Sequence, residues 1–199
     1  MFDQHQPKIA AYAQSSAEGM ARTIQFAMGS ARRPLFTWAT EFRELCEGDD
    51  RQSPLTPMRR EAWALLWLSR EAIYHHTLDI ASRDDCENHL IGYLATLPGL
   101  GLAKAGFVCQ LSFGISGCLD SHNLTRYNIS ENTFKGYKER RTRLGRLKLA
   151  ARYNDTIEKH GGTRALWNNW CALVAKRHPQ NYSNANDVSA LHCAALNLT

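Results

Sequence analysis

Apolar residues recur every three or four positions along most of the chain, and alternating β-branched runs are missing. That period marks amphipathic helices, so the pattern predicts a nearly all-α protein. A first helix is expected over residues 8–28, with Ile9, Tyr12, Ala13, Ile24 and Phe26 as its apolar points and Gly19 as a place to bend or split. A second starts near Pro34, a suitable first-turn residue, with Phe36, Trp38, Phe42 and Leu45 toward the core. Residues 46–57 read as a polar, Pro-rich loop. Thr56 then serves as N-cap and Pro57 as the first helical residue of a long buried helix, or two, carrying Trp63, Leu66, Trp67, Ile73, Tyr74 and Leu78. The next helix holds Leu90, Ile91, Leu94 and Leu97 on one side and ends at Pro98. Beyond residue 123 the pattern predicts helices at about 133–159 and 163–178, a polar loop from Asn181 to Asp187, and a short final helix.

At 199 residues this is one helical unit or two small lobes sharing a core. The six cysteines are dispersed, with no C-x-x-C pair, and several lie in apolar surroundings. That argues against a disulfide framework, a structural zinc or an iron–sulfur cluster. No cofactor is expected. The first sixteen residues lack the charged lead and apolar core of a secretory signal, and no apolar run is long enough to span a bilayer. The expectation is a soluble protein of the cytoplasm or another reducing compartment, with no membrane partner.

The formal charge of +5 hints at a polyanionic partner, and its distribution says more. The stretch 134–153 carries Lys135, Lys138, Arg140, Arg141, Arg143, Arg146, Lys148 and Arg152 against the single acid Glu139. Such a stretch can neutralise phosphates, with Phe134, Tyr137 and Tyr153 as candidate stacking groups and Leu144, Leu147 and Ala151 left to face a core. The five tryptophans sit at helical positions and read as core. His75 and His76 are adjacent, hence about 100° apart on a helix, and read as structural rather than as a metal pair.

The most informative stretch is residues 94–123, LATLPGLGLAKAGFVCQLSFGISGCLDSHN. Pro98 ends one helix, and Gly99 and Gly101 permit a tight turn into the next. The N–H groups that open that second helix have no intrahelical partner, and the helix dipole adds positive potential there. Without side chains at the glycines, a phosphate can approach those donors. Such a turn grips a nucleic-acid backbone and reads no sequence. Asp120, ahead of Ser121-His122-Asn123, reads either as the cap of a following helix or as a functional carboxylate.

Four elements in order, Leu97-Pro-Gly-Leu-Gly101, Ala105, Phe113-Gly114 and Leu119-Asp120-Ser-His122, resemble the helix-hairpin-helix DNA glycosylase superfamily, the endonuclease III and adenine-mismatch glycosylase group. The resemblance implies a two-lobed helical bundle with the hairpin motif at about 86–113. Residues 30–118 would form the central lobe, and 1–29 with 119–199 the second. It implies that the chain binds DNA, in duplex form, through Leu97, Pro98, Gly99, Gly101, Lys104, His122, Arg126, Lys138, Arg140, Arg141, Arg143, Arg146 and Lys148. A base would be flipped out, and Asp120 would act at the sugar during hydrolysis of the base–sugar bond. The lysine that gives some members a strand-nicking activity is Ala103 here, and Lys104, one step along the helix, faces elsewhere. The expected enzyme is therefore a monofunctional DNA N-glycosylase of base-excision repair. The loop before Asp120 is one residue short for the family, so either Gly117 absorbs the change or Asp120 is displaced. The alternatives are a non-catalytic DNA-binding or structural nucleoprotein component, or a base-modifying transferase on the same scaffold.

Overall fold

A computed structural model describes residues 1–30, 33–48, 55–136 and 141–198. Its regular structure is helical: α1 Phe2–Ser15, α2 Ala17–Gly29, α3 Leu35–Cys46, α4 Pro57–Leu68, α5 Arg70–Ala81, α6 Cys86–Leu94, α7 Leu102–Phe113, α8 Ser121–Arg126, α9 Arg143–Lys159, α10 Gly162–Arg177 and α11 Ala185–Ala195. A short 3-10 helix, Glu131–Phe134, precedes α9. No strand occurs among the described residues. None of the described helices is long and apolar enough to cross a membrane. All six cysteines are free thiols.

The single helix expected over 8–28 is two. It begins at Phe2, with Pro7 inside its second turn, and breaks at Ser16 rather than Gly19. Ser16 is extended and its Oγ accepts from Gly19 N at 3.0 Å, a helix N-cap. Gly19 is needed beside it, because a Cβ there would stand 2.2 Å from Tyr12 O. Of the one or two helices expected from Pro57 the structure has two, α4 and α5, divided at Ser69. Nor is α4 buried. Only Ala62 and Leu66 are, while Met58, Leu65 and Leu68 are exposed. On α3, Trp38 and Phe42 are buried as expected, but Phe36 faces outward. In the basic segment α9 starts at Arg143, where Thr142 caps it through a 3.0 Å bond from Gly145 N.

The core is organised on α7, whose residues from Ala105 to Ser112 are all buried. A helix apolar on nearly every side must be covered on every side. Here α1, α2 and α6 pack against it. The carbonyls near its C-terminal end, which lack helical partners, are met by side chains of α1: Gln6 Nε2 donates to Leu111 O and Gln14 Nε2 to Ser112 O. Trp38 completes the adjoining aromatic group by donating to Phe26 O at 2.9 Å. Gly29 makes room for its ring, since a Cβ there would lie 2.1 Å from it.

Candidate functional site

The turn between α6 and α7 places the two glycines in different roles. Gly99 is left-handed, with φ of 76°. A Cβ on it would meet Met28 Sδ at 2.6 Å and Ala62 Cβ at 3.2 Å, so its bareness serves the seating of the turn on α2 and α4. Gly101 is extended and has nothing within 4 Å of a Cβ position. It is the residue before α7, whose first α-helical bond runs from Ala105 N to Gly101 O at 2.8 Å. The N–H groups of Leu102, Ala103 and Lys104 therefore precede the helical ladder. Gly101 and Leu102 line a cavity of about 230 Å³ together with Ala95, Thr96, Leu149 and Arg146. The sequence reading had both glycines admitting a phosphate. The structure leaves that opening to Gly101. Pro98 is exposed, and Leu97 is half-buried against the core.

Asp120 is the N-cap of α8, and its Oδ1 accepts from Asn123 N at 2.9 Å. It is half-buried. The segment leading to it is held from several sides. Gly114 ends α7 in the left-handed region, and Ser116 follows at φ of 59°. For a residue with a side chain that conformation costs about 1 kcal/mol. Ser116 Oγ is tied to Asn154 Oδ1 at 2.7 Å, and Asn154 Nδ2 donates on to Asn88 Oδ1 at 2.9 Å. Tyr153 OH donates to Gly117 O at 2.8 Å and accepts from Leu119 N at 2.7 Å. Asn123 Nδ2 closes the turn on Cys118 O at 2.8 Å. Gly117 is closely packed in this loop, because a Cβ there would lie 2.3 Å from Leu166.

Lys104 turns toward α2. Its Nζ donates to Ser30 Oγ at 2.8 Å, at the C-terminal end of α2 where the helix dipole favours a cation, and lies 5.6 Å from the Phe107 ring centroid. Burial pushes the Cys118 thiol up to about 12, with the Asp120 carboxylate adding to the shift and the Lys104 ammonium opposing it. His122 and Arg126 fasten α8 to α10: His122 Nδ1 lies 3.1 Å from Arg177 Nη1, and Arg126 Nη1 donates to Asn169 O at 3.0 Å.

Of the basic residues, Arg141, Arg143 and Lys148 are exposed and Arg146 is half-buried beside the Gly101 opening. Lys148, two residues past Arg146, sits about 200° round α9 from it. Lys138 and Arg140, with Tyr137, lie outside the described residues. Phe134 and Tyr153 are buried and ring-packed on each other, so they offer no stacking surface. The loop-holding residues Gly106, Tyr153 and Asn154 were not singled out in sequence as supports for Asp120. Only the buried spacing Leu149, Tyr153, Ile157 on α9 foreshadowed an inward Tyr153. Among the described residues, no group of three or more His, Cys, Asp or Glu could hold a metal ion.

No protein-family model, curated protein or solved structure matches the chain.

Proposed function

We propose that the chain binds duplex DNA by its backbone at the α6–α7 turn, used as a helix-hairpin-helix motif. The observation that carries this reading is the open Gly101 position at the start of α7, facing a cavity that Arg146 also lines. A phosphate there meets bare N–H donors, the positive end of a helix dipole and a guanidinium. Arg141 and Arg143, both exposed, extend the positive surface at the start of α9, while Lys148 lies on its far side. On this reading α7 is the wall between two lobes, 30–118 and 1–29 with 119–199.

The activity proposed on that scaffold is hydrolysis of a base–sugar bond, with Asp120 at the sugar. The resemblance over residues 94–123 supports it. A binding-only role is the second reading, favoured by the engagement of Asp120 Oδ1 in the α8 cap. Gly101→Asp places a side chain and a negative charge at the opening. It should weaken binding of the full chain to a short duplex by roughly tenfold or more, measured by fluorescence anisotropy at fixed salt. Unchanged affinity would remove both readings. Absence of base release by the unaltered chain from a panel of damaged and modified duplexes would leave binding alone.

A further inference from the structure

Three stripes of side chains at helical spacing converge on a second cavity, which adjoins the Gly101 opening. His76 and Ile80 are four apart on α5, with Arg83 three further on just past its end. His89 and Tyr93 are four apart on α6. Arg143 and Arg146 begin α9, with Leu147 beside them. Together they enclose about 410 Å³, within the roughly 300–1,000 Å³ range of small-molecule sites. Among the described residues no carboxylate lines it. Arg83 is ion-paired with Asp79 one turn back, while Arg143 makes no ion pair among the described residues. Ile80, Leu147 and the bare backbone of Gly92 supply an apolar side, and a Cβ at Gly92 would be 3.7 Å from Leu147. The Tyr93 ring is held edge-on against His76, with centroids 4.5 Å apart.

A phosphate ion alone satisfies only the cationic rim of such a cavity. An apolar wall with an aromatic ring asks for a flat, partly apolar group attached to the anion. We propose that this cavity is a site for a nucleoside monophosphate unit, with its phosphate between Arg143 and Arg146 and its base against Tyr93 and Ile80. The same chemistry comes from a free mononucleotide or from the 5′-phosphorylated end of a DNA strand. The second source is within reach because Arg146, Gly92 and Thr96 line both this cavity and the opening at Gly101. The inference rests on the cavity, not on the hairpin reading.

Calorimetric titration of the full chain with deoxyadenosine monophosphate tests it, with inorganic phosphate as the comparison. Deoxyadenosine monophosphate should bind more tightly than phosphate. Arg143→Gln, an exposed first-turn change, should weaken it roughly tenfold, the loss expected for one charge-assisted contact. Lys159→Gln removes the same charge at the far end of α9 and should leave it unchanged. Tyr93→Leu should erase the advantage of the nucleotide over phosphate. Duplexes with and without a 5′-phosphate separate the sources. A phosphate-dependent gain that Arg143→Gln abolishes identifies a strand end, and binding of the mononucleotide alone identifies the free ligand. The proposal is overturned if neither ligand binds, if Lys159→Gln weakens binding as much as Arg143→Gln, or if Tyr93→Leu leaves the nucleotide preference intact. The 5′-hydroxyl duplex reports the hairpin reading by itself, so failure of one does not imply failure of the other.

Discussion

Tyr153 and Gly106 decide where Asp120 stands, although neither touches it. The loop 115–119 crosses α7 so closely that a Cβ on Gly106 would lie 2.1 Å from Gly117 O and 2.9 Å from the Tyr153 ring. Backbone cannot yield as the tip of a flexible side chain can, so Gly106→Ala must lift the loop or shift α7. The expected cost is about 1–3 kcal/mol of stability, the usual range for overpacking. Tyr153→Phe keeps the ring but leaves Gly117 O and Leu119 N, both bonded to its hydroxyl, without a partner. A similar loss, about 1–3 kcal/mol, follows from two buried groups left unsatisfied. Urea unfolding of both variants checks this. Because the two residues hold the same loop, the double variant should lose less than the sum of the single losses. Additive losses would mean that they support the loop independently.

At the scale of elements, α8 offers a way to separate the two roles of Asp120. A helix cap accepts Asn nearly as well as Asp, whereas Ala forfeits about 1 kcal/mol. Asp120→Asn should therefore melt within a degree or two of the unaltered chain, while Asp120→Ala melts clearly lower. If the carboxylate also acts at the sugar, Asp120→Asn loses base release while keeping its duplex affinity. Equal melting temperatures for Asn and Ala would deny the cap. The helical class, the turn at Pro98 and the Thr56–Pro57 start of α4 were legible because Pro, Gly and apolar periodicity act locally. The breaks at Ser16 and Ser69 were not, since serine interrupts a helix only where packing rewards it. The exposed face of α4 was missed because apolar residues there satisfy the helical period without being covered. At the candidate site, the turn was readable but the division of labour between Gly99 and Gly101 was not. It depends on Met28 and Ala62, which are distant in sequence. His76 reads as structural in sequence, and only the fold shows that it lines one cavity with Arg143.

Across the whole molecule, the histidines at the junction of α1, α10 and α11 couple the core to pH. His192 is fully buried among the rings of Phe26, Phe107, Trp167 and Trp170. Its Nδ1 lies 3.0 Å from Val188 O, and its Nε2 has no hydrogen-bond partner. Desolvation lowers it from an ordinary 6.5 to about 4. His5, whose Nδ1 is 2.9 Å from Ser189 Oγ, is lowered too, first by its burial. A histidine lowered in the folded state binds its proton more readily when the chain is unfolded. Stability is therefore full above about pH 6.5 and is lost as the pH falls toward 4. Below that both states are protonated and the loss levels off. For His192 a shift of this size corresponds to about 3 kcal/mol at most. His192→Leu removes the titration together with a buried nitrogen that makes no bond, and so should cost little at neutral pH. Urea unfolding at a series of pH values between 4 and 7 should show the unaltered chain weakening steeply with acid and His192→Leu weakening less, with the slope from His5 remaining. Equal slopes would assign the acid sensitivity to groups other than His192, and a variant that is strongly destabilised at pH 7 would show that the imidazole ring packs better than a leucine can.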